Sequence, residues 1–168
     1  MKYGVLVTLF LMLLSSSACS NPYRRQCSKW LPLFHGPSKE WDQEFRKHDL
    51  ETQCEIYFCA MNYVHPPLMG FSERLAQAGP NVVPLLQREL RETTDELVIE
   101  DVVLAFVVMQ TRGFYDVASD GNLMKAIEES AQRIRFAARR DIVLQNIERI
   151  RTTPAPTTPT KENPAPKR

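Results

Sequence analysis

Residues 97–109 form a long apolar run in which Glu100 and Asp101 are the only polar side chains. Its thirteen residues exceed a usual strand of about five or six residues, and Thr93 with Glu96 ahead of the run has the spacing of a helix-capping box. A helix that is apolar around most of its circumference must be covered by other elements. The run therefore predicts a buried helix at the centre of a helical domain.

Further helical patterns lie on both sides of this run. One begins at Ser38 and stops before His65, because the two prolines that follow lack a backbone donor and disfavour helical geometry in the residue before them. A last helical region spans residues 123–150, where a change in the phase of the apolar stripe predicts a break near residues 135–139. The chain is therefore expected to be all-α, either a small right-handed stack of helix pairs or an irregular helical bundle.

A repeat-like segment covers residues 74–90, with the sequence RLAQAGPNVVPLLQREL. It resembles a HEAT-type repeat, in which a first helix ends at a glycine, here Gly79, and a second helix carries valine, proline and leucine in its first turn. A weaker copy spans residues 102–134 and places Gly113 thirty-four residues after Gly79. The resemblance implies a HEAT-like α-solenoid whose stacked helices bind other proteins.

The N-terminus has the pattern of a secretory signal. Lys2 precedes an apolar run at residues 5–14, and small residues follow up to Cys19. This run is too short to cross a bilayer as a helix, which takes about 20 apolar residues. The sequence therefore predicts export.

The residues Ser16, Ser17, Ala18 and Cys19 resemble the lipobox of bacterial lipoproteins. This resemblance implies cleavage before Cys19 and attachment of a diacylglycerol to its sulfur, with an acyl chain such as palmitate in the membrane. Ser20 stands where an aspartate would imply inner-membrane retention, so the resemblance favours the outer membrane, facing the periplasm, in a double-membraned host. The alternative is an ordinary signal peptide cut nearby, which leaves Cys19 as a thiol or half of a disulfide.

Composition divides the chain into four segments: a signal peptide at 1–18, a lipid-anchored tether at 19–37, a helical domain at 38–151 and a Pro/Thr-rich tail at 152–168. The tail holds five of the twelve prolines and no large apolar residue. It has too little apolar surface to offset the entropy of ordering, so we expect it to be disordered and partly polyproline II.

The charge balance argues against nucleic acid as a partner. Cleavage removes Lys2, and 21 basic residues against 20 acidic ones then become equal in number. Neutralising phosphates requires a basic excess. The arginines at 133, 135, 139 and 140 are interpreted as a solvated helix face rather than an anion site.

Export makes disulfides possible for the cysteines that remain after Cys19 is lipidated. Cys54 and Cys59 lie five residues apart in a predicted helix, an axial rise of about 7.5 Å, whereas bridged Cα atoms usually lie within about 7 Å. Cys27 is therefore expected to pair with either Cys54 or Cys59. The remaining cysteine is interpreted as a small buried apolar residue rather than a reactive thiol.

No pattern typical of catalysis occurs in the sequence. A Gly-x-Ser-x-Gly elbow, a Gly-rich phosphate loop and a Cys-x-x-Cys pair are all missing, and His35, His48 and His65 lack metal-ligand spacing. Glu100 and Asp101 interrupt the buried run, so they need a partner, for which an arginine from the last helices is the candidate.

These patterns predict a lipid-anchored envelope protein whose helical domain binds another envelope protein. We expect no catalysis, cofactor, metal or small-molecule substrate. The alternative is a soluble exported periplasmic disulfide protein with thiol-redox or hydrolytic activity.

Overall fold

The computed structural model describes residues 27–154, and this part of the chain is helical throughout its regular structure. Its eight α-helices are α1 (Leu31–His35), α2 (Ser38–Phe45), α3 (Leu50–Asn62), α4 (Gly70–Ala76), α5 (Val83–Glu92), α6 (Glu96–Arg112), α7 (Gly121–Gln132) and α8 (Ala137–Thr152). Two short 3-10 helices, Cys27–Trp30 and Gly79–Asn81, precede α1 and α5. The all-α prediction is confirmed.

Helix α6 is the centre of the bundle and corresponds to the long apolar run. It packs against α3, α4, α5, α7 and α8, and Val102, Val103 and Phe106 are completely buried. The two helices of the predicted HEAT-like pair, α4 and α5, both pack against α6. The domain is therefore a helical bundle arranged around one buried helix.

The predicted capping box at the start of α6 is wrong. Asp95 is the N-cap, and its carboxylate accepts a hydrogen bond from the Leu97 N–H at 2.9 Å. Thr93 lies two residues before this N-cap, and its hydroxyl accepts from the Asp95 N–H at 3.1 Å. Glu96 accepts from the backbone N–H groups of Arg135 and Phe136, so it joins α6 to the segment before α8.

The single helix predicted for residues 38–64 is two helices in the structure. Helix α2 ends at Phe45, and α3 begins after Asp49, whose carboxylate accepts from the Thr52 N–H at 2.8 Å. An aspartate at this position caps a new helix start, which interrupts the apolar stripe. The predicted break near residues 135–139 is confirmed, because α7 ends at Gln132 and α8 begins at Ala137.

Residues 27–37, assigned above to the tether, are packed against the domain. Cys27 and Phe34 are buried, and the Phe34 ring meets the Phe71 ring of α4 edge-on at 5.7 Å. The fold therefore includes chain from Cys27 onward, because a disulfide and an aromatic contact hold this segment against α3 and α4. Residues 1–26 and 155–168, with the signal, Cys19 and most of the tail, lie outside the described residues.

Gly79 supports a close approach between two parts of the bundle. Its φ is 55°, and a Cβ at this position would meet the Phe114 carbonyl oxygen at 3.0 Å. Only glycine combines a left-handed conformation with so close a neighbour at low cost.

None of the helices between residues 27 and 154 is long and apolar enough to cross a membrane.

Candidate interaction surface

The described cysteines divide into one disulfide and one free thiol. Cys27 is bonded to Cys59 of α3, with their Cα atoms 5.3 Å apart, and Cys54 is free and buried. This selects between the two pairings that the sequence left open. Cys59 is completely buried, so the disulfide fixes the start of the domain to its core.

Cys54 is poorly suited to thiol chemistry. Burial raises the pKa of its thiol to about 12, and the nearby Glu89 carboxylate acts in the same direction. Since the thiolate is the nucleophile in redox and acyl-transfer reactions, this side chain is almost entirely in its unreactive form at neutral pH. Its environment is that of a structural cysteine.

The histidines do not converge on a common site. His48 lies 3.7 Å from a Glu44 carboxylate oxygen and packs edge-on against the Trp30 ring at 5.0 Å, whereas His35 and His65 are exposed. Within residues 27–154, no group of three histidine, cysteine or acidic side chains could hold a metal ion.

The buried carboxylate predicted to need a partner belongs to a polar cluster between α3 and α6. Asn62 donates to Asp101 Oδ2 at 2.6 Å, and the Tyr57 hydroxyl donates to the Asp101 carbonyl oxygen at 2.7 Å. Burial raises the pKa of Asp101 to about 7, although the Asn62 hydrogen bond opposes this shift. The neighbouring Glu100 pairs with Arg139 of the last helix. The predicted arginine thus forms an ion pair with Glu100, whereas Asp101 accepts a hydrogen bond from the Asn62 side-chain amide.

A groove of about 570 Å³ lies between α5 and α7. Its lining comprises Gln87, Leu90 and Arg91 of α5, Asn122, Lys125, Ala126 and Glu129 of α7, and Arg133 directly after α7. Arg91 of α5, Lys125 of α7 and Arg133 after α7 are basic, and Glu129 of α7 is the one acidic residue of the lining. Both walls therefore carry a basic side chain. Leu90 lies beneath the groove and is completely buried, so the charged and amide side chains form most of its accessible lining.

Arg133 holds a fixed position at one end of this groove. Its guanidinium donates to the carbonyl oxygens of Arg91 at 3.2 Å and Thr93 at 3.3 Å, and also to that of Leu90. These carbonyls belong to the C-terminal end of α5, where the helix dipole supplies only about half a negative charge. These hydrogen bonds restrain the Arg133 side chain, which remains exposed and keeps a net positive charge.

The other two cations leave their charge largely available to a ligand. Lys125 lies 3.8 Å from Glu129 on the same helix, and both side chains are mostly exposed, so solvent weakens their attraction. Arg91 is exposed at the C-terminal end of α5. The groove therefore carries about two net positive charges within a shared depression.

Comparison with known proteins gives a uniform result. No protein-family model, curated protein or solved structure matches this chain.

Two other depressions are less suited to a ligand. The one beside residues 115–122 contains Asp120, but this carboxylate already accepts from the Leu123 N–H and the Tyr115 hydroxyl. The one beside α1 and α2 contains Lys29, which pairs with Glu55 at 3.0 Å. The lining of the first depression carries two acidic and no basic side chains, and that of the second carries one basic and two acidic side chains. Among these three depressions, the α5–α7 groove is therefore the one with a net positive charge.

This groove was not predictable from the sequence. Arg91 and Arg133 are 42 positions apart, and neither belongs to a motif. The interpretation of the arginines at 133–140 as a solvated face was also incomplete, since Arg133 caps α5 and Arg139 binds Glu100. A basic residue near a helix C-terminus was the available signal, but it does not indicate which second helix completes the groove.

Proposed function

We propose that this protein is a lipid-anchored component of a bacterial envelope, and that its helical domain binds another envelope protein without catalysing a reaction. The N-terminal signal that ends in Ser-Ser-Ala-Cys19 carries this proposal. In a double-membraned host, the residue after the cysteine, Ser20, favours the outer membrane with the domain facing the periplasm.

The disulfide supports an exported location. The Cys27–Cys59 bond joins two buried side chains in the described domain. Disulfides of this structural kind persist in the periplasm and outside the cell, and they are rare in the reducing cytosol. The disulfide thus fits the compartment that the signal predicts.

The distance from the lipid to the domain supports a role at the membrane surface. Cys19 precedes the first described residue, Cys27, by eight positions, which span at most about 28 Å even when fully extended. An anchored domain therefore stays next to the bilayer, where it meets other envelope proteins at high local concentration.

The soluble thiol-redox or hydrolytic alternative has less support. It requires a reactive group, and the free thiol of Cys54 is buried with its pKa raised to about 12. The lining of the α5–α7 groove has cations and amides but no serine, threonine, cysteine or histidine. These side chains favour a binding role for the groove.

The anchor is tested by the mass of the protein extracted from its native membrane, compared with the Cys19→Ser variant. We expect a diacylated Cys19 at the mature N-terminus and release of the variant from the membrane. An unmodified mature N-terminus, or Cys19 in a disulfide, would contradict the anchor and favour the soluble alternative.

The binding role is tested separately by chemical crosslinking in intact cells followed by purification. We expect the anchored protein to enrich a specific envelope protein relative to the Cys19→Ser variant expressed at the same level. Equal recovery of every crosslinked protein in both samples would contradict the proposed role of the anchored domain in partner binding.

A further inference from the structure

We infer that the groove between α5 and α7 binds a short, extended, acidic segment of a partner protein. This inference rests on the proposed function and deepens it, because it assigns the binding surface and the chemistry of the partner.

Charge complementarity gives the first part of the argument. Arg91 reaches the groove from α5, Lys125 from α7 and Arg133 from the end of α7, against a single carboxylate, Glu129. A carboxylate that enters the groove meets cations from both walls. A basic or neutral segment would leave these cations without compensation, so the lining selects for acidic side chains.

The fixed position of Arg133 gives the second part. Its three hydrogen bonds to carbonyl oxygens of the α5 end and the turn after it hold the guanidinium in place before any ligand arrives. A pre-organised group loses little conformational freedom on binding, which favours association. The guanidinium is therefore restrained at the end of the groove, unlike that of a surface arginine without such hydrogen bonds.

The shape of the groove favours a peptide over a small anion. Asn122 and Arg133 lie at opposite ends of α7, about 17 Å apart along the axis at about 1.5 Å per residue. About five residues of extended chain, at about 3.3 Å each, cover this distance. The amides of Gln87 and Asn122 can each donate to and accept from a peptide backbone.

The test measures binding of rhodamine-labelled peptides, about five residues long to match the groove, by fluorescence anisotropy. The protein is the Cys19→Ser chain, which keeps the whole domain and the tail. One peptide alternates glutamate with alanine, and matched peptides carry glutamine or lysine in place of glutamate. We expect the acidic peptide to bind at least about tenfold more tightly than the glutamine peptide, with an affinity that falls as salt rises.

The groove is tested by the double substitution Arg91→Glu with Lys125→Glu, which we expect to weaken acidic-peptide binding by at least about tenfold. The matched control is Arg149→Glu with Lys47→Glu. Arg149 is also a basic residue in the last turn of its helix, and Lys47, like Lys125, pairs with a glutamate on a neighbouring turn. Binding to the control variant should remain within about twofold of the parent.

Three outcomes would overturn the inference. The acidic peptide could bind no more tightly than the glutamine peptide, or both double variants could lose binding equally, which would indicate non-specific attraction. The third outcome uses vesicles that contain phosphatidylglycerol: vesicle binding that depends on Arg91 and Lys125, without peptide binding, would assign the groove to a lipid surface.

Failure of this inference is distinguishable from failure of the proposed function. If the anchored Arg91→Glu, Lys125→Glu variant still enriches the same envelope protein on crosslinking, the groove assignment is wrong while the binding role stands. If the unsubstituted protein enriches no partner relative to Cys19→Ser, the proposed role fails whatever the peptides show.

Discussion

Replacing Asp101 by asparagine should stabilise the domain at neutral and alkaline pH. The carboxyl lies in the buried cluster between α3 and α6, and burial raises its pKa from 3.8 to about 7. Asparagine has nearly the same shape, stays neutral at every pH, and can still accept the Asn62 hydrogen bond through its own carbonyl oxygen. The substitution therefore removes the cost of a buried charge without opening a cavity.

The direction of the pH dependence of stability follows from the protons that the folded and unfolded chains bind. Between pH of about 4 and about 7, the folded protein keeps the Asp101 proton while the unfolded chain loses it, so stability falls as pH rises. The neighbouring charges have opposite effects on the pKa of Asp101: the carboxylates of Glu100 and Asp95 raise it, and the Arg139 guanidinium lowers it. A shift of about three pKa units at about 1.4 kcal/mol each sets a ceiling of about 4 kcal/mol.

Urea denaturation followed by circular dichroism across this pH range measures the effect. The two proteins should have nearly equal free energies of unfolding at pH of about 4, and Asp101→Asn should be more stable by about 2 to 4 kcal/mol at pH of about 8. Asp141→Asn, at an exposed carboxylate of α8, is the control and should leave the pH profile unchanged. A difference between Asp101→Asn and the parent that does not vary with pH would refute the reasoning.

Three further variants, one of them double, and one glycine control test the packing of the domain by urea denaturation. Replacing both Cys27 and Cys59 by alanine should lower the free energy of unfolding by about 3 to 4 kcal/mol, because the bond closes a loop with a sequence separation of 32. Gly79→Ala should cost about 1 to 2 kcal/mol because its φ is positive and its Cβ space is occupied, whereas Gly121→Ala, with open space, should be within about 0.5 kcal/mol of the parent. Phe34→Ala should cost about 3 kcal/mol because the ring is buried against α4.

Controls from the same region make these results interpretable. Cys54→Ala removes a buried thiol without breaking a crosslink and should cost less than about 2 kcal/mol. Leu31→Ala truncates an exposed side chain of the same helix as Phe34 and should cost under about 1 kcal/mol. If Phe34→Ala were as mild as Leu31→Ala, the N-terminal segment would not contribute to the folded core.

The helical class and the central helix were predictable because their signals are local. A run such as residues 97–109 contains too many adjacent apolar side chains for a surface element, so its burial follows from composition. The break before α8 was predictable for a similar reason, because it changes the phase of the apolar stripe. The division of residues 38–64 was missed, although Asp49 is a local capping signal, because apolar residues continue on both sides of it.

The candidate site was much less predictable. The exclusion of a Cys54–Cys59 bond needed only the rise of a helix, but the choice of Cys59 as the partner of Cys27 depends on how α3 lies against the N-terminal segment. The α5–α7 groove depends on Arg91 and Arg133, which are distant in the chain and meet only when α7 packs beside the end of α5. Interactions of this kind are set by the angle and register of packed helices.

The sequence by itself determined the helical class, the burial of residues 97–109 and the restriction on cysteine pairing, because each follows from neighbours along the chain and from the dimensions of a helix. Only the tertiary structure decided that Cys27 pairs with Cys59, that Asn62 serves Asp101, and that Arg133 joins the α5–α7 groove. These contacts unite residues far apart in sequence, and the packing of apolar faces that brings them together is non-directional, so local patterns do not specify which partners meet.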